Sequence, residues 1–238
     1  MTMSTIRKNW TKDELALALN LYCRLPFGKV HSGNPEIVCL ANYLRRTPAS
    51  VSMKLGNFAA LDPSLHQKGL SGCSKLDREV WDEFFANEEL IEKTEEILQA
   101  ANIQEDYSAE NITVAGTARK GQNFFRETIM ANYGMKCCIS GISIPELLVA
   151  AHIVPWITDK NNRLNPRNGL CINVLHHSAF DSGLIAIDDF KVVISKAVSK
   201  ENSNRFLWGF EGTEISQPEK FLPSPEFLKY HYCNIFRK

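Results

Sequence analysis

The chain has 238 residues, 44% of them hydrophobic, enough for one large domain or two small ones and ample for a buried core. It carries no apolar run long enough to span a bilayer, and Met1 to Trp10 lacks the charged-then-apolar pattern of a secretory signal, so a cytoplasmic protein with no membrane partner is expected. Its seven cysteines are odd in number and include no Cys-x-x-Cys pair, which argues against a disulfide framework and a cysteine-paired zinc knuckle and leaves most of them as small core residues in a reducing compartment.

The formal net charge of zero conceals a segregation. Residues 1–80 carry a balance of +5, residues 81–111 a balance of −9 and residues 112–238 a balance of +4. Two basic regions therefore flank an acidic one, and a basic region can hold a polyanion in a chain that is neutral overall.

The first helix is predicted after Thr11, where Thr11 and Glu14 form a capping box ahead of Leu15, Ala18, Leu19 and Tyr22; Pro26 ends it. Asn34-Pro35 starts a second helix with Ile37, Leu40, Ala41 and Leu44 inward, and Thr47-Pro48 starts a third with Val51, Leu55 and Phe58 inward. Three short helices joined by tight turns fit a helix-turn-helix-like unit. The outer face of the third helix is expected to carry Ser50, Met53, Lys54 and Asn57, with Arg45 and Arg46 just before it. The two arginines suit phosphates, and small or amide side chains suit base edges; the plainer alternative is a packing module whose outer face meets water.

Residues 64–80 read as a loop, Glu79 to Ala101 as one acidic amphipathic helix, and residues 102–118 as a linker. This divides the chain into a helical module over 1–78, an acidic helix and linker over 79–118, and a second module over 119–238. In that second module, Phe124, Phe125, Ile129 and Tyr133 mark a helix stopped by Gly134. Leu147 to Val154 and Leu170 to Asn173 read as strands, residues 174–182 as a helix, and Leu184 to Ile187 with Val192 to Ile194 as a hairpin. The tail, rich in proline, closes on a short helix from Glu226 to Phe236. The class is α+β.

The informative constellation is ordered along this second module. His152 ends a strand, Asn168-Gly169 follows a polar loop, and His177 and Asp181 stand four residues apart on a helix, on one face, where they can share a cation. Taken singly, each piece is ordinary: a strand-end histidine, a common turn pair. His176 points away from His177 and is secondary, while His31, His66 and His231 have no partner pattern.

In that order and spacing, His152-Ile153-Val154-Pro155, Asn168-Gly169-Leu170 and His177-x-x-Phe180-Asp181-x-Gly183 resemble the HNH, or ββα-metal, endonuclease motif, in its restriction-type branch. Gly121-Gln122-x-x-Phe125-Arg126, Cys138-Ile139-Ser140-Gly141 and Pro225-x-x-x-Leu228-x-x-His231 resemble the same branch, so the likeness covers about half the chain. The resemblance implies a metal-dependent hydrolysis of DNA phosphodiester bonds in restriction or defence. It makes His152 the general base and Asn168 the residue that orients it. His177 and Asp181 become ligands of one divalent ion, Mg²⁺ with Mn²⁺ as a substitute. Lys160, Arg163 and Arg167, in the intervening loop, would grip flanking phosphates. Ala151 departs from the pattern, because many members carry a third metal ligand just before the base. Two alternatives follow: a DNA-binding protein whose nuclease half has decayed, or an HNH nuclease directed at RNA. Cutting both strands with one site per chain suggests a homodimer.

Overall fold

The computed structural model describes residues 9–65, 72–101 and 121–238; the expected linker and His66 lie outside them. The N-terminal part is wholly helical. In α1 (Lys12–Arg24) the capping box forms as expected: the Thr11 hydroxyl accepts from the Glu14 amide at 3.3 Å and the Glu14 carboxylate accepts from the Thr11 amide at 3.0 Å. From Leu15 to Arg24 this helix is buried all round, which makes it the axle of the module rather than a surface helix. Helices α2 (Pro35–Leu44) and α3 (Pro48–Ala59) pair closely, each begun by its Asn or Thr cap and first-turn proline. The turn between them closes on Arg45 at φ 53°, a left-handed position that favours glycine.

The acidic region departs from the single helix expected. It is two helices, α4 (Lys75–Phe84) and α5 (Glu88–Ala100), and α4 begins inside the expected loop. Ser74 and Asp77 form a second capping box, and Asn87 caps α5 through the Leu90 amide. A short cap sequence thus overrides the continuous acidic periodicity across Phe85 to Asn87.

The C-terminal part is α+β. Helix α6 (Gln122–Asn132) leads into the antiparallel hairpin of β1 (Leu148–His152) and β2 (Gly169–Asn173), with His152 opposite Gly169 and Leu148 opposite Asn173. Helix α7 (Val174–Asp181) follows β2 without a loop and packs on both strands, completing a ββα unit. A second hairpin, β3 (Ile185–Asp188) and β4 (Lys191–Ile194), precedes α8 (Arg205–Trp208) and the C-terminal α9 (Pro225–Asn234), which lies against β3.

The helical part and the C-terminal part share one buried core. Arg24 at the end of α1 ion-pairs with Glu95 on α5 at 3.0 Å and with Glu127 on α6. The Asn132 amide donates to the Cys23 carbonyl at 3.2 Å. The fully buried Lys220 ammonium donates to the carbonyls of Tyr22 and Leu25 and lies 4.1 Å over the Tyr22 ring, so a tail cation caps the C-terminus of α1. Burial brings this lysine down to about 8. Among the described residues, no helix is long and apolar enough to cross a membrane.

Candidate active site

The hairpin is placed by α6. Arg126 donates to the Leu148 carbonyl at 3.0 Å, and Phe125 and Ile129 press on β2 where it has no side chain: a Cβ on Gly169 would meet Ile129 at 2.4 Å and Phe125 at 2.8 Å. Asn168-Gly169 is therefore more than a turn pair, since the glycine admits the helix. Past it, Phe125 carries the His152 ring face to face, with centroids 3.9 Å apart and planes 8° apart, while Trp156 meets the same imidazole edge-on at 5.5 Å.

The Nε2 atom of His152 lies 2.8 Å from the Arg163 carbonyl. A carbonyl only accepts, so Nε2 carries the ring proton and the neutral imidazole holds its basic lone pair on Nδ1. The carbonyl thereby selects the tautomer as well as the ring's direction.

The loop that supplies this carbonyl is held by Asn168, which is 1% exposed. Its Oδ1 accepts from the Val154 amide at 2.8 Å, and its Nδ2 donates to the carbonyls of Val154 and Asn162, both at 3.2 Å. Its own carbonyl accepts from Ile153 at 2.9 Å. One buried amide thus ties the residues after His152 to those before Arg163. Asp159, Asn162 and Asn165 brace the loop through a chain of side-chain bonds, and Leu164 anchors it in the core.

On α7, the His177 Nε2 and Asp181 Oδ2 atoms stand 3.2 Å apart, with side chains 32% and 58% exposed. Both side chains are open to solvent. Among the described residues, no third His, Cys, Asp or Glu joins them, and Ala151 is buried at 1% exposure with no donor to offer. The C-terminal end of α7 is fixed by Gly183, at φ 69°, where a Cβ would collide with the Ile235 carbonyl at 2.2 Å. His231 of α9 stacks on Phe180 at 3.6 Å and donates from Nε2 to the Phe180 carbonyl at 3.1 Å. Burial lowers this histidine to about 4, so it is a neutral, structural group.

His152, the loop that holds its ring, the His177–Asp181 pair and the ββα frame all fall within one stretch of sequence. Residues 137–188 match the family model described as HNH endonuclease. The chain carries an HNH nuclease domain. No curated protein matches the chain. The α+β expectation, a helical module followed by a C-terminal ββα HNH domain, is the architecture observed. A nuclease domain implies a nucleic-acid substrate.

Outside the HNH motif, several expected contact residues are placed differently. Lys54 does not lie on the outer face of α3. It is buried, and its ammonium donates to both Asp77 oxygens at 2.9 Å. Asn57 is also buried and donates to the Gly72 carbonyl at 3.3 Å. Arg46 donates to the Glu14 carboxylate at 2.8 Å and the Asn9 carbonyl at 2.7 Å, and lies 4.1 Å over the Trp10 ring. These three serve the module's interior because α4 and the residues before α1 bring partners to them. Arg45 and Met53 are exposed and Ser50 is half-buried.

In the HNH loop, Lys160 is exposed. Arg163 donates to the Trp156 carbonyl at 2.8 Å and lies 3.5 Å from Glu88, and Arg167 donates to the Leu222 carbonyl at 3.3 Å. The last two brace the loop and tail.

Sequence reasoning missed the Phe125 platform and the role of the Arg163 carbonyl, since a backbone acceptor leaves no residue-type signal. It also passed over His176, which is buried beside Cys137 with Nδ1 3.7 Å from the sulfur. Burial alone would raise the Cys137 thiol, but bonding to His176 and Ser140 outweighs it and brings the thiol down to about 6. An asparagine three residues before His176, at the strand–helix junction, was the available cue.

Proposed function

We propose that the protein is a metal-dependent endonuclease that hydrolyses DNA phosphodiester bonds, in a restriction or defence role. The observation that carries this reading is the His152 imidazole, held on Phe125 with its Nε2 proton committed to the Arg163 carbonyl inside an HNH domain. In this orientation Nδ1 takes the proton from an attacking water, and Asn168 preserves the geometry without reacting. His177 and Asp181 hold one divalent ion. Two protein donors suit Mg²⁺ or Mn²⁺, which keep several waters, better than an ion needing a full protein cage. When bound, such an ion offsets charge on the scissile phosphate and the departing oxygen.

Arg45, Ser50 and Lys160 are the members of the expected DNA-contact set that the fold supports as reachable. Cutting both strands with one site per chain favours two chains acting together. Incubation of supercoiled plasmid with the protein and Mg²⁺ or Mn²⁺ tests the reading, with modified DNA, unmodified DNA and RNA as parallel substrates. Nicked and linear products that EDTA suppresses are expected; preferential RNA cleavage would replace the substrate.

A second reading has one observation in its favour. Ala151 leaves the metal without a third protein donor, as in a DNA-binding protein with a decayed nuclease half. Retained DNA binding with no cleavage under either metal would select it.

A further inference from the structure

Helix α7 has only eight residues, too few to hold a direction unaided, so its donors point where its two ends are fixed. The C-terminal end is held by Gly183 and His231. The N-terminal end is held by a buried polar network that the proposed reaction does not use.

Asn173 caps the helix: its Oδ1 accepts from the His176 amide at 2.9 Å. That bond fixes the side-chain amide's orientation and turns Nδ2 toward Ser140 Oγ at 3.0 Å and His176 Nδ1 at 3.1 Å. At the centre lies Cys137, fully buried and 36 residues away in sequence, whose sulfur receives the Asn173 backbone amide at 3.3 Å and the Ser140 amide at 3.4 Å. Asn173 Nδ2 and His176 Nδ1 each lie 3.7 Å from the same sulfur. Phe210 closes the far side, edge-on to His176 at 5.1 Å. One sulfur thus gathers Asn173, at once the last residue of β2 and the cap of α7, and the first turn of that helix. His177 follows His176 directly.

We propose that Cys137 is a positioning residue for the metal-binding pair: by fixing Asn173 and His176 it aims His177 and Asp181. The inference rests on the metal reading of those two residues. Cys137→Ala removes the acceptor of the Asn173 backbone amide and leaves that amide buried without it, so the first turn of α7 shifts. Cys137→Ser keeps an acceptor of shorter reach and restores part of the geometry. A merely structural cysteine is available for comparison in Cys171, equally buried in β2 and set 3.5 Å from the Met130 sulfur.

The test is Mn²⁺ binding to full-length protein without nucleic acid, followed by electron paramagnetic resonance, alongside the Mn²⁺ concentration giving half-maximal plasmid cleavage. Cys137→Ala is expected to weaken both by roughly tenfold, Cys137→Ser by less, and Cys171→Ala by less than about twofold even where its melting temperature falls. Cys137→Ala within about twofold of wild type, or Cys171→Ala shifting as far as Cys137→Ala, overturns the proposal. If Cys137→Ala does not fold, Cys137→Ser decides by the same comparison. Asp181→Ala separates the two claims: without effect on Mn²⁺ binding it removes the metal reading, whereas a loss there beside an unchanged Cys137→Ala removes only the positioning role.

Discussion

Helices α3 and α7 both begin at a side-chain cap and both carry polar residues beside a buried stripe, yet they put those residues to opposite uses. On α3, Lys54 and Asn57 turn inward because α4 and the strand of chain before it bring Asp77 and the Gly72 carbonyl within reach. On α7, His177 and Asp181 remain open, joined only to each other among the contacts described. A polar pair that the rest of the fold leaves unsatisfied stays open to solvent and to ligands. Distant partners, more than the residues themselves, decide between structure and chemistry.

The largest effect that sharpens this contrast is on stability. Lys54→Ala leaves Asp77, fully buried, without its cation, and is expected to cost about 3–5 kcal/mol in urea unfolding. His177→Ala, on an open face, should cost under about 1 kcal/mol. Equal losses would erase the distinction between the two helices.

A smaller effect is set by pH. His231 has its folded value lowered to about 4 from an ordinary 6.5, so the unfolded chain binds the extra proton between those limits. Stability is full above about pH 6.5 and falls by at most about 3 kcal/mol as pH drops toward 4. His231→Leu should remove that part of the slope in pH-dependent thermal unfolding, although it also loses the bond to Phe180. An unchanged slope would assign the pH dependence elsewhere.

The smallest effect concerns Arg45, exposed at a left-handed turn. Arg45→Gly relieves the backbone, so stability should hold or rise by about 1 kcal/mol. If the arginine contacts a phosphate, DNA affinity should fall modestly and its dependence on log salt should flatten by about one charge, as gel-shift titrations at two salt concentrations would read. Unaltered affinity and slope would take α2 and α3 out of the nucleic-acid surface.

The contrast also explains what the sequence disclosed. The Thr11–Glu14 capping box, the Asn-Pro and Thr-Pro starts and the ββα order that carries His152, Asn168, His177 and Asp181 depend on neighbours within a few residues or on one ordered motif, and they were legible; the Ser74–Asp77 box was not, because it lay in a stretch that read as a loop. The break between α4 and α5 was legible only in the cap Asn87, which the longer acidic periodicity masked. Lys54, Asn57 and Arg46 were misplaced because a helical wheel finds the centre of the buried stripe but not which long side chains at its edges have partners elsewhere. The shared core was invisible for the same reason: Arg24, Asn132 and Lys220 acquire meaning only when distant segments meet. A cut between the helical and HNH parts would strip Phe124 and the α1 carbonyls of their cover.

The proposed nuclease chemistry turns on His152, oriented by the Arg163 carbonyl, acting as the base. Plasmid cleavage by His152→Ala in Mn²⁺, measured beside wild type with DNA binding monitored by gel shift, tests it most directly. A loss of about 10²-fold to 10⁴-fold in cleavage rate with binding retained is expected. Cleavage within about tenfold of wild type would contradict it.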